Sequence, residues 1–218
     1  MPGVRPLRLE FPVSNGIPTI IAWSERFPLH DVFARGQANP VPERTGGIYL
    51  WGYDANDTEI IWYVGSATNF RTRLRQHYLL LMSCQYQLPK GFLNGSFKEL
   101  ADIASGWACD LNNPLVLERL RDWEHMEKVH RAAHTFANQA FARIAPIAGP
   151  SESELRVIES AVIYDLQPII NHRHKSSPNH VKITHVPSAT EHDWLQSWRV
   201  MHNDLVRQRV IKGVKGGA

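Results

Sequence analysis

Six residues carry groups suited to breaking a phosphodiester bond: Tyr49, Tyr63, Arg73, His77, Glu159 and Asn171. That hydrolysis needs a deprotonated water, a neutralised charge on the attacked phosphate, and a leaving oxygen that is protonated or held by a metal. A tyrosine hydroxyl handles protons when a nearby cation lowers its pKa. Arginine meets phosphate oxygens with a planar fork that is always charged. A single carboxylate can hold a Mg²⁺ that keeps most of its waters. Each residue alone has a plainer reading. A strand tyrosine usually fills a core, arginines along one helix usually form a solvated face, and a lone glutamate is often half of a surface ion pair. Only their order and spacing lift the set above that.

The elements that would position them follow from local pattern. Ile48 to Trp51 reads as a strand, Tyr53 to Glu59 as a polar turn, and Ile60 to Val64 as a second strand. The unbroken apolar run of the second predicts a central strand buried on both faces. Thr68 or Asn69 can cap a helix over 68–82, with Phe70, Leu74, Tyr78 and Leu81 turned to the sheet. Arg71 and Arg75 share one face of that helix, and Arg73 and His77 share another. Residues 140–147 alternate and predict a third strand. Ser151 and Glu154 form a capping box that opens a helix reaching about Leu166, with Leu155, Ile158 and Val162 on its buried stripe. Glu159 lies at the margin of that stripe, an odd place for a charge without a function. Pro168 stops the helix, and Asn171 follows.

In this order and spacing the chain resembles the GIY-YIG nucleases. Gly47-Ile48-Tyr49 is similar to their first signature triplet, and Tyr63-Val64-Gly65 to the second with Val for Ile. Arg73 falls ten residues after the second tyrosine, His77 four later, and Asn171 twelve after Glu159. The likeness covers about residues 45–82 and 140–172. It implies an α/β core: a small three-stranded, mainly antiparallel sheet flanked by helices. It also implies a metal-dependent endonuclease acting on DNA. Glu159 would hold one Mg²⁺ (or Mn²⁺), and Tyr49 would be, or relay to, the base. Arg73 would steady the phosphate, His77 and Tyr63 would assist, and Asn171 would brace the site. The alternatives are a non-catalytic nucleic-acid-binding module with the same fold, and an RNA-directed nuclease.

The rest of the chain resembles nothing comparable. Residues 1–45 predict a hairpin around Asn15-Gly16 and a linker over 37–44. Residues 83–139 predict a helical insertion, with helices over 97–105, Leu115–Lys128 and Val129–Ala137 and an apolar stripe of Leu117, Leu120, Trp123 and Met126. Residues 173–218 predict a basic tail with one helix. In it Trp194 and Trp198 serve as core or docking residues or, failing that, as base-stacking platforms. Arg71, Arg75, His172, Arg173, Lys175 and Lys182 are candidate nucleic-acid contacts, with His174, His180 and His185 beside them. The helix histidines His125, His130 and His134 lack the cysteine or carboxylate that would complete a zinc site.

Whole-chain properties agree. The 218 residues are 43% apolar, enough for a core, and carry a formal charge of +3. An isoelectric point near 9.0 leans towards anionic partners. Cys84 and Cys109 stand too far apart for a paired motif and read as reduced thiols. No signal peptide and no apolar run long enough to span a membrane are visible, so the expected location is cytoplasmic.

Overall fold

A computed structural model describes residues 13–14, 17–18, 20–55, 58–86, 88–89, 107–109, 118, 121–171, 183–188 and 194–207. In chain order its strands are β1 (Val13–Ser14), β2 (Ile17–Pro18), β3 (Ile20–Ala22), β4 (Phe27–Pro28), β5 (Gly47–Ala55), β6 (Thr58–Ala67), β7 (Leu88–Pro89), β8 (Trp107–Cys109), β9 (Phe141–Pro146) and β10 (Thr184–Val186). Its α-helices are α1 (Phe70–Met82), α2 (Trp123–Gln139), α3 (Glu152–Leu166) and α4 (Trp194–Arg207).

The fold is mixed α/β around one four-stranded antiparallel sheet in the order β4-β9-β5-β6. Three of these strands are the predicted ones. The fourth, β4, is a two-residue addition beside β9. β5 and β6 run past the predicted turn because Tyr53 and Ala55 bury their side chains and continue the ladder.

β6 is not central, as its apolar run predicts, but an edge strand. Its apolar residues are buried because the chain returns along the open edge after α3. The Ile169 and Ile170 N–H groups donate to the Ile61 and Trp62 carbonyls at 3.1 and 3.0 Å. α3 and α4 also pack against β6. An edge covered in this way is closed to further strand pairing.

α1 begins where expected, with the Asn69 side chain accepting from the Thr72 N–H. Phe70, Leu74 and Leu81 are buried as predicted, and His77 is buried with them. α3 opens with the predicted capping box of Ser151 and Glu154.

The extensions are part of the structure. β1 and β2 form the expected hairpin, but β3 leaves it and pairs in parallel with β10, so a strand from each predicted extension shares one small sheet. The predicted linker is packed. Val41 is buried, and the Asn39 amide donates to the Val32 and Ala34 carbonyls. Trp194 and Trp198 are buried, which removes them as stacking platforms, and Trp198 Nε1 donates to the Leu166 carbonyl at 2.7 Å. The buried Arg143 pairs with Glu59 at 2.7 Å and lies over the Trp194 ring, joining α4 to the sheet.

The insertion is only partly helical, since β7 and β8 pair within it. α2 is one helix where two are predicted. It buries Val129, Ala132, Ala133, Phe136 and Ala137, while Trp123 is 80% exposed. The predicted helix over 97–105 lies outside the described residues. So do Leu117, Leu120, His172, Arg173, His174, Lys175, His180 and Lys182.

Candidate active site

The ladder between β5 and β6 sets Tyr49 opposite Gly65, and Tyr63 opposite Trp51. Both signature glycines are dictated by close approach. Gly47 has φ +144°, and a Cβ there would meet the Ala145 carbonyl oxygen at 2.2 Å. A Cβ on Gly65 would meet the Tyr49 hydroxyl oxygen at 2.4 Å, so glycine is what leaves room for the Tyr49 ring.

α1 leaves the end of β6 through a short turn and lays Arg73 and His77 over that ring. The Tyr49 hydroxyl lies 2.7 Å from His77 Nε2, and Arg73 Nε donates to it at 3.3 Å. His77 Nδ1 in turn contacts the Tyr86 hydroxyl. The imidazole is fully buried in an aromatic cage of Tyr49, Trp51, Tyr63 and Tyr86, with ring centroids 5.0 to 5.9 Å away.

The electrostatics follow from that burial. Desolvation, then the neighbouring Tyr63, pushes the Tyr49 hydroxyl well above its ordinary 10.0, and Arg73 opposes the shift. Tyr49 is therefore a neutral phenol at neutral pH. Desolvation, then the Arg73 charge, lowers the His77 pKa from 6.5 to about 3. Unfolded chains take up this proton near pH 6.5 and the folded chain only near 3, so stability falls as pH drops through that window. Urea unfolding followed downward from about pH 7 should lose stability with a slope of at most about 1.4 kcal/mol per pH unit for this proton. In His77→Gln the loss should be shallower, and equal slopes in the two proteins would remove His77 as its cause.

Glu159 reaches the same place from α3. Its carboxylate accepts a hydrogen bond from the Ser66 hydroxyl at 2.5 Å, at the end of β6. Among the described residues this is its only hydrogen bond or ion pair. Glu159, Ser66, Arg73, Thr72 and Gln76 line one cleft of about 380 Å³ between α1 and α3. No cluster of three His, Cys, Asp or Glu occurs among the described residues. Glu152 also lines the cleft but faces Arg156 at 3.9 Å, so a metal held by Glu159 would take water for most of its other positions, a donor set that suits Mg²⁺. Compared with known proteins, the chain matches no family model, no curated protein and no solved structure.

The other predicted residues take different places. The Asn171 side chain accepts from the Val64 N–H at 2.8 Å and donates to the Val64 carbonyl at 2.9 Å, bracing β6 beside Tyr63. Arg71 is held by Glu43 at 3.0 Å and the Val41 carbonyl at 2.7 Å. Arg75 donates to the Val32 carbonyl at 2.8 Å and lies over Phe33. Both arginines thus anchor residues before β5 onto α1. The His185 side chain is buried rather than part of a phosphate-facing patch. Its Nδ1 accepts from Trp23 Nε1 at 2.9 Å, and its Nε2 lies 2.9 Å from Asp165. Two site residues escaped the sequence reading. Ser66 directly follows the second triplet, which is a positional signal. Tyr86 lies in an irregular stretch with no pattern to mark it.

Proposed function

We propose that the chain is a metal-dependent endonuclease of the GIY-YIG type that hydrolyses DNA phosphodiesters. The observation that carries this reading is the meeting of Tyr49, Arg73 and His77 in one hydrogen-bonded chain beside the cleft that holds Glu159. These residues come from one strand and two helices that are far apart in sequence. A solvated arginine face and a surface glutamate would not produce that convergence.

Arg73 lines the cleft, with Nε on Tyr49 and Nη1 on Gln76 at 3.2 Å, and offers its charge and its Nη2 to a phosphate oxygen. In this reading the Tyr49 oxygen, fully buried and joined to the cleft through Arg73, would take a proton from the attacking water while its own hydroxyl proton moves towards His77 Nε2, 2.7 Å away. A neutral imidazole is the form that can accept it. Tyr63 is tilted against Tyr49, with ring centroids 6.2 Å apart. Glu159 would hold the Mg²⁺, which supplies neutralisation of charge developing on the phosphate and the leaving oxygen. A basic isoelectric point favours a polyanionic substrate. No helix among the described residues is long and apolar enough to cross a membrane.

Supercoiled plasmid incubated with the purified chain and Mg²⁺ should be nicked or linearised, and EDTA should stop the cutting. Branched DNA and RNA are tested in parallel. Intact binding with no cutting of any substrate would favour a non-catalytic module, and cutting of RNA alone would redirect the proposal to an RNA-directed enzyme.

A further inference from the structure

The hydrogen-bond chain does not end at His77, and its far end is unexplained by the chemistry above. Tyr86 lies just after α1, half-buried, with its hydroxyl on His77 Nδ1. Its ring stacks on the imidazole at 5.6 Å and 21°, and lies tilted against Trp51 at 5.6 Å and 60°. An imidazole has two nitrogens, and the partner of one decides which carries the proton. Arg73 can only donate, so the Tyr49 oxygen accepts from it. The Tyr49 oxygen keeps a second lone pair and its own hydrogen, and when that hydrogen goes to His77 Nε2, 2.7 Å away, Nε2 is the bare nitrogen. In that arrangement the ring proton is on Nδ1 and is donated to the Tyr86 oxygen.

We propose, building on the nuclease reading, that Tyr86 is a positioning residue that locks His77 in the Nδ1–H tautomer with its Nε2 lone pair aimed at Tyr49. The same contact gives the proton a way out. As the Tyr49 oxygen gains a proton from water, its hydroxyl proton passes to Nε2. The Nδ1 proton passes to the Tyr86 oxygen, and the Tyr86 hydroxyl proton leaves to solvent. Each atom keeps its valence, and no net charge forms on the buried ring. Without the outlet an imidazolium would form in an aromatic cage beside Arg73. Desolvation and that charge both oppose it, which is why the ring pKa is lowered to about 3.

The test is Tyr86→Phe in the full chain, which keeps the stacked ring and removes only the hydroxyl. Long-range ¹H–¹⁵N spectra of ¹⁵N-histidine protein, with the His77 signal assigned by its loss in His77→Gln, report the tautomer directly. The native protein should show Nδ1–H, and Tyr86→Phe should show a mixture of tautomers. Cleavage by Tyr86→Phe should fall roughly ten- to hundredfold in kcat with KM unchanged, the usual cost of losing a group that orients a ligand or base. A native Nε2–H tautomer, an unchanged tautomer in Tyr86→Phe, or unchanged kcat would overturn the proposal. If the native chain cuts no nucleic acid, the nuclease reading falls, and the spectra still decide whether Tyr86 sets the tautomer.

Discussion

Glu159→Gln is expected to lower Mg²⁺-dependent cleavage by at least about a thousandfold, while folding and DNA binding persist. The substitution changes no heavy-atom count and leaves an amide that can still pair with the Ser66 hydroxyl, now 2.5 Å from the carboxylate. What it removes is the negative charge. Mg²⁺ is a hard cation that binds through one or two carboxylates and otherwise keeps its water. The other carboxylate lining the cleft, Glu152, faces Arg156 at 3.9 Å, and no group of three ligating side chains occurs among the described residues to take over. Loss of a metal's charge stabilisation is worth several kcal/mol, and each 1.36 kcal/mol is about tenfold in rate. Binding should survive because Arg73 is untouched, and the variant relieves repulsion between a carboxylate and a phosphate. Plasmid cleavage rates and anisotropy of labelled duplex, both compared with native protein, measure the two halves. Cleavage within about fivefold of native would remove Glu159 as the metal ligand.

The site was legible in the sequence to the extent that it depends on short-range spacing. Asn69 as a cap, the Ser151–Glu154 box and the four-residue step from Arg73 to His77 are local rules, and the structure follows them. The antiparallel pairing of β5 and β6 is equally local. What escaped depends on contacts distant in sequence. β6 looked central because its residues are apolar, yet the partner on its open edge is the segment after α3, more than a hundred residues away. Arg71 and Arg75 look the same as Arg73 in the sequence, and only their bonds to the Val41 and Val32 carbonyls separate their work from its own. Tyr86 sits beyond the helix period, in a turn where no spacing rule applies. The pairing of β3 with β10 joins two ends that sequence reading treats as separate appendages.

Asn171→Ala should cost about 3 kcal/mol of stability, near the upper end for a single substitution. Asn171 is 8% exposed, and its amide serves both backbone groups of Val64 at once. On an edge strand these two groups face outward with no neighbouring strand to satisfy them. Ile169 and Ile170 pair with Ile61 and Trp62 through their own backbone, and Asn171 then continues the edge through its side chain. Alanine leaves a buried donor and a buried acceptor unpaired, each costing about 1–3 kcal/mol unless water enters. A domain of this kind has only about 5–15 kcal/mol to lose. The strand that loosens carries Tyr63 one residue before Val64 and Ser66 two residues after it, so cleavage should weaken even where the protein stays folded. Urea unfolding of the two proteins gives the cost, and cleavage measured well below the variant's Tm separates the local effect from global unfolding. A midpoint shift worth under about 1 kcal/mol would mean that water replaces the amide, and that the end of the module braces β6 through Ile169 and Ile170 alone.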